Sequence, residues 1–103
     1  MSEAVKDEIG SAVLFEDDRV KIWDLQIEPG QGHGMHRHSN DYILVFVGDC
    51  RLRGINADGS TRFEQDMHHG QVVHRTLEGD EDVHDALNVG DTPSRNLIIE
   101  LKK

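Results

Sequence analysis

Pro29-Gly30-Gln31-Gly32-His33-Gly34-Met35-His36-Arg37-His38-Ser39-Asn40-Asp41 is the stretch on which the reading of this chain turns. It places three histidines and a carboxylate within nine positions, directly ahead of Tyr42 to Val47, the strongest β-forming run in the sequence. Glycines at 30, 32 and 34 keep helix out of the approach to His36. Side chains two apart on a strand share a face, so His36 and His38 can aim at one metal ion.

Ser39-Asn40 leaves two registers open. As the two-residue loop of a hairpin, it sets Asp41 opposite His38 with Cβ atoms about 4.5–5.5 Å apart, and Asp41 joins the histidines on one side. Asn40 suits such a turn, which requires positive φ. Ile43, Val45 and Val47 then form the wall. If residues 36–47 are instead one unbroken strand, Asp41 faces away and Tyr42 points inward.

Outward from this centre the chain reads as strand, turn, strand. Residues 1–11 are polar, acidic and without period, and are expected to be a flexible tail ahead of a single domain at 12–103. Ala12 to Phe15 is a short apolar run, and Arg19 to Ile27 is a strand with Trp23, Leu25 and Ile27 on one face. After Tyr42 to Val47 come Arg51 to Asn56, Thr61 to Gln65, Gln71 to Arg75, Val83 to Val89 and Asn96 to Leu101, each bounded by turn residues. Runs of about 5–8 residues with turns every 8–12 predict an all-β antiparallel sandwich or barrel.

Composition narrows the function. Twenty acids against 11 bases give a net charge of −9, which repels nucleic acid and anionic membrane surfaces, so neither is expected as a partner. One cysteine, Cys50, excludes an intrachain disulfide, and no apolar stretch is long enough for a signal peptide or membrane span. A cytoplasmic location is expected. Only 36% of residues are hydrophobic and 5% aromatic, a lean supply that favours a thin-walled β fold or a homodimer.

Gly30, five residues, His36-Arg37-His38, two residues, Asp41, six residues and Gly48 follow the order of the first motif of the cupin superfamily, which this chain resembles. Asp41 stands where the family has Glu, and its spacer is shorter than usual. The family's second motif ends in His, three residues, Asn, matched by His84 and Asn88, and Gly70 opens it; Thr76-Leu77-Glu78-Gly79 replaces its proline-glycine turn. The resemblance implies a single-domain cupin jelly roll, or double-stranded β-helix, holding one divalent transition metal. His36, His38 and His84 match the metal histidines and Asp41 the carboxylate, either as a ligand or hydrogen-bonded to a ligand histidine or water. Such a site is similar to three-histidine cupins, among them dioxygenases that cleave diketones or oxidise thiols. RVKIWDLQIEPGQ, HRHSNDY and NVGDTPSRNLIIELKK also resemble small cupins associated with β-alanine degradation. Imidazole and carboxylate suit Fe, Mn, Ni, Cu and Zn alike, so the ion stays unnamed.

His33, Tyr42, Arg53 and His74 are the candidates for lining a substrate pocket. His33 either lines its mouth or is solvent-exposed, and His74 either lines it or hydrogen-bonds to its rim. Tyr42, like Trp23, also reads as a core or dimer contact. Arg51 and Arg53 share a face that by default pairs with nearby acids, but both can instead offer guanidinium forks to a carboxylate substrate. His68-His69 read as surface turn residues, and Glu78 to Asp82 as a solvated lid. Two functions are expected: a mononuclear metalloenzyme, dioxygenase-like or isomerising, acting on a small carbonyl or carboxylate compound, or a non-catalytic small-molecule-binding or sensor module.

Overall fold

The computed structural model describes residues 4–103, and among them every regular element is a strand. In chain order these are β1 (Ala12–Glu16), β2 (Val20–Ile27), β3 (His36–His38), β4 (Tyr42–Phe46), β5 (Cys50–Asn56), β6 (Thr61–Met67), β7 (Val72–Arg75), β8 (Asp82–Asn88) and β9 (Ser94–Leu101). They form two antiparallel sheets, β1-β2-β9-β4-β7 and β3-β8-β5-β6, facing each other as a jelly roll. The all-β expectation holds, and no helix among the described residues is long and apolar enough to cross a membrane.

Alternation along the strands decides what is buried. Trp23, Leu25 and Ile27 of β2 turn inward together, as their spacing predicts, and pack with Ile9, Tyr42 and Ile98. A second cluster joins Phe46, Cys50, Leu52 and Met67, and Leu44 touches both. Burying each such apolar side chain contributes about 1.5–3 kcal/mol. Arg51 and Arg53, out of phase with Cys50, Leu52 and Gly54, land on the outer face and pair with Glu64 and Asp66.

The hairpin register is not adopted. β3 belongs to the four-stranded sheet and β4 to the five-stranded one, so Ser39 to Asp41 carries the chain between sheets. No residue other than glycine has positive φ among those described, Asn40 included. Asn40 Nδ2 instead donates to Glu100 Oε2 at 2.8 Å, anchoring the crossing to the end of β9. Tyr42, Leu44 and Phe46 therefore face the interior, in place of Ile43, Val45 and Val47.

Residues 4–11 are not a free tail. Lys6 N donates to Met35 O at 3.1 Å and Lys6 O accepts from Arg37 N at 2.9 Å, a parallel bridge straddling His36. Ile9 is 2% exposed, and Ser11 N donates to Asp24 O at 2.7 Å. Residues 1–3, which shared the same expectation, lie outside the described residues.

Candidate metal centre

β3 and β8 pair antiparallel with His36 directly across from His84 and His38 across from Asp82. The period-two pleat turns His36 and His38 inward, at 2% and 3% exposure, and leaves Arg37 outside. The three imidazoles meet with ring centroids 4.6 Å (His36–His84), 4.8 Å (His38–His84) and 5.0 Å (His36–His38) apart. One nitrogen from each lies within 4.8 Å of the others, so a single ion is within reach of all three.

Two of the rings are fixed through their far nitrogen. Gly34, at φ +106, turns its carbonyl to accept from His36 Nδ1 at 2.8 Å. His84 Nδ1 lies 2.8 Å from Asp82 Oδ2, and Asp82 is itself forked by Arg62, with Nη1–Oδ2 and Nη2–Oδ1 both 3.0 Å. Arg62 Nη1 is also 3.0 Å from His84 Nδ1. Two N–H groups cannot bond each other, so with the carboxylate present the network assigns the His84 proton to Nδ1 and its bond to Asp82. Both rings are thereby left with a bare Nε2. His38 is held by stacking on Tyr42, centroids 3.9 Å apart and planes at 15°, and its buried Nδ1 has no hydrogen-bond partner among the described residues.

The electrostatics favour neutral rings. Burial pushes His36 down to about 4 and His38 to about 2, and the neighbouring imidazoles add to the effect. Burial also lowers His84, though Asp82 opposes this. Burial disfavours the Asp82 carboxylate as well, but Arg62 and His84 outweigh it and hold that group at about 2. Burial pushes the Tyr42 phenol up to about 12. At pH 7 the cluster is three neutral imidazoles beside one ionised carboxylate, the protonation state that metal binding needs.

The histidines lie on the wall of a cavity of about 860 Å³ between the two sheets. Leu44, Phe46, Phe63, Met67, Val73 and Ile98 give it an apolar lining, and the acidic segment expected as a lid contributes Glu78, Gly79, Glu81 and Asp82. Of the four candidates for pocket lining, only Tyr42 is there. His33 bonds to Glu8 O through Nε2 at 2.7 Å and packs edge-on behind His36, centroids 5.0 Å apart. Arg53 pairs with Glu64 outside, because β5 turns Leu52 and Gly54 inward. His74 is exposed, because β7 turns Val73 and Arg75 to the cavity.

Asp41 is not part of the cluster. Its Oδ1 accepts from Leu77 N at 2.9 Å, since the sheet crossing turns it away from the histidines. The carboxylate that serves the site is Asp82, two residues before His84 on one strand and hence on the same face. That spacing was visible in the sequence. Arg62 had no sequence signal: it comes from β6, two strands away in the same sheet. His68 and His69 are exposed turn residues as expected, and His69 Nδ1 accepts from Gly48 N at 2.8 Å.

The donor set fits a divalent transition ion. Neutral imidazoles are borderline ligands for Fe, Mn, Ni, Cu and Zn, and two of them carry the outer hydrogen bond that typically orients a ligating histidine. The unpartnered His38 Nδ1 is a buried polar atom whose isolation costs about 1–3 kcal/mol, the kind of defect a binding site tolerates.

No protein-family model and no curated protein matches the chain. Solved structures do. A cupin domain from Bordetella pertussis is 27% identical and superposes with a TM-score of 0.77, covering 97% of this chain and 98% of that one. A conserved protein with a double-stranded β-helix domain from Klebsiella pneumoniae is 18% identical at TM-score 0.65, covering 94% and 82%. An oxalate decarboxylase is 22% identical at TM-score 0.60, covering 82% of this chain but 22% of its own. The strand order, the inward His36-x-His38 and His84, and the overlap with nearly the whole Bordetella domain agree: the described residues have the cupin fold, a double-stranded β-helix.

Proposed function

We propose that this cupin binds one divalent transition-metal ion through His36, His38 and His84 and acts as a mononuclear metalloenzyme, dioxygenase-like or isomerising, on a small carbonyl or carboxylate compound. The observation that carries the reading is the set of three buried, neutral imidazoles with nitrogens within 4.8 Å, opening onto a cavity of about 860 Å³. A bound ion supplies Lewis-acid polarisation and open coordination positions for a bidentate ligand. The chain does the rest. Leu44, Phe46, Met67 and Ile98 offer apolar surface to the body of a ligand, Asp82 and Arg62 hold His84 in one tautomer, and Tyr42 pins the His38 ring while keeping its own proton.

One observation favours the non-catalytic binding module. Beside the histidines, Asp82 is locked in the Arg62 fork and Tyr42 titrates at about 12, so neither is poised to shuttle a proton near pH 7.

The test is elemental analysis of protein reloaded separately with Fe(II), Mn(II), Ni(II), Cu(II) and Zn(II), followed by oxygen uptake with diketones, thiols and keto acids. One ion per chain in the wild type, lost in His36→Ala and His84→Ala, supports the site; full retention in both variants overturns it. Ligand-induced thermal stabilisation without turnover selects the binding module.

A further inference from the structure

The charges lining the cavity are nearly all engaged. Arg62 is committed to Asp82, Glu81 forms an ion pair with Arg37, Oε2 and Nε 2.8 Å apart, and Asp85 Oδ1 accepts the amides of Gly34 and Ala86 at 2.9 and 2.7 Å. Arg75 differs. It lines the cavity from β7 and is exposed, and among the described residues it makes no ion pair or side-chain hydrogen bond. Its guanidinium carbon lies 5.9 Å over the Phe63 ring, which belongs to β6 in the opposite sheet, so the side chain spans the cavity between the sheets. Gly54 makes room for this: a Cβ there would collide with the Phe63 ring.

Arg75 is also the direct cross-strand partner of Tyr42. Such pairs place their side chains on one face with Cβ atoms about 4.5–5.5 Å apart. The Tyr42 hydroxyl has no hydrogen-bond partner among the described residues, although the residue is only 4% exposed. Two donors without a hydrogen-bond partner, a guanidinium fork and a phenol, therefore start from paired positions on one face and enter the same cavity. They lie one aromatic ring away from the histidine cluster, because Tyr42 stacks on His38. Among the described residues Glu78 is the remaining lining charge with neither an ion pair nor a side-chain hydrogen bond, and a second carboxylate on the ligand would meet its repulsion.

We propose that Arg75 and Tyr42 form a subsite for the carboxylate of an amphipathic monocarboxylate whose apolar body lies over Leu44, Phe46 and Met67. The proposal rests on the cavity being the ligand site, as the proposed function holds, but not on an ion being bound in it. Arg75 is the specificity residue: it supplies the charge and the planar fork that distinguish a carboxylate from its amide.

Calorimetric titration of the full chain with hexanoate, hexanamide and adipate, metal-stripped and zinc-loaded, tests this. Stripped wild-type protein is expected to bind hexanoate about ten-fold more tightly than hexanamide, the preference a charge-assisted bidentate contact gives. Arg75→Gln should erase that preference without moving the melting temperature, Arg75→Lys should keep part of it, Tyr42→Phe should weaken both ligands and hexanoate more, and Glu78→Gln should strengthen adipate most. Equal binding of hexanoate and hexanamide by the wild type overturns the subsite, as does a preference that survives Arg75→Gln. A preference seen only with zinc and indifferent to residue 75 places the carboxylate on the ion; it overturns the subsite and leaves the metal reading intact. Conversely, an Arg75-dependent preference in protein that takes up no metal sustains the subsite while the metal reading fails.

Discussion

Asp82 Oδ2 and His84 Nδ1 stand 2.8 Å apart, two residues apart on one strand, and this contact decides which His84 nitrogen is bare. Removing the carboxylate leaves Arg62 Nη1, 3.0 Å from Nδ1, as the remaining neighbour, and a guanidinium can only donate. Nδ1 must then accept and the proton moves to Nε2, where it blocks an ion. Asp82→Ala should lower metal affinity about 10–100-fold, as loss of an outer partner typically does, and Asp82→Asn, which keeps an acceptor oxygen, should lower it less. Arg62→Ala with Asp82→Ala should recover part of the loss. Competition titration against a chelator reads all three variants.

Acid should unfold the metal-stripped protein from a high pH. His36 titrates at about 4 and His38 at about 2 in the fold, whereas both take protons near 6.5 when unfolded. As pH falls, the unfolded chain binds protons first, so stability is complete above 6.5 and declines as pH drops from 6.5 toward 4. His36 alone corresponds to roughly 3 kcal/mol across that window. Denaturant midpoints at pH 7.5, 6.0 and 5.0 should fall steadily in the wild type and fall less in His36→Gln. A flat profile from 7.5 to 5.0 contradicts the buried neutral rings.

Gly34→Ala should harm fold and site together. Its φ of +106 is a conformation that L side chains rarely adopt, and an added Cβ would meet Lys6 Cε at 3.2 Å. The substitution should cost more than about 1 kcal/mol, or roughly 4–8 °C in Tm. Because the Gly34 carbonyl fixes the His36 ring, metal affinity should fall with it. Gly48→Ala, strained likewise at φ +90 but outside the cavity that holds His36, His38 and His84, should lower Tm and spare affinity.

Asn88 should prove structural. It is 1% exposed, donates to Ile27 O at 2.9 Å and Thr92 O at 2.8 Å, and accepts from Gly90 N at 3.0 Å, tying the end of β2 to the turn before β9. Asn88→Ala strands these buried groups and should cost about 3 kcal/mol. Metal stoichiometry should stay at the wild-type value in the folded fraction, measured by elemental analysis beside a thermal melt.

The strands were legible because most are short β-forming runs, some alternating and some wholly apolar, set apart by turn residues, and His36, His38 and His84 were legible because spacing and motif agreed. What the sequence hid was pairing. Whether Tyr42 or Asp41 faces inward depends on β3 pairing with β8 and β4 with β7 and β9, partners far along the chain. The same non-local choice makes Arg75, and not Arg53 or His74, a cavity residue, since β5 and β7 fix their phase through their neighbours. Ile9 gave no warning, as a lone apolar residue in a polar stretch has no period to read.

The bridge from Lys6 to the edge of β3 has a practical consequence. β3 is three residues long, carries two of the three histidines, and has β8 on one side only. Its other side is guarded by Lys6, with Ile9 sunk in the core a few residues on. Loosening of Lys6 would therefore bare the outer edge of β3 at His36, and an affinity tag joined ahead of it is a poor bystander. Preparations meant to compare metal content should carry their handle at Lys103 instead.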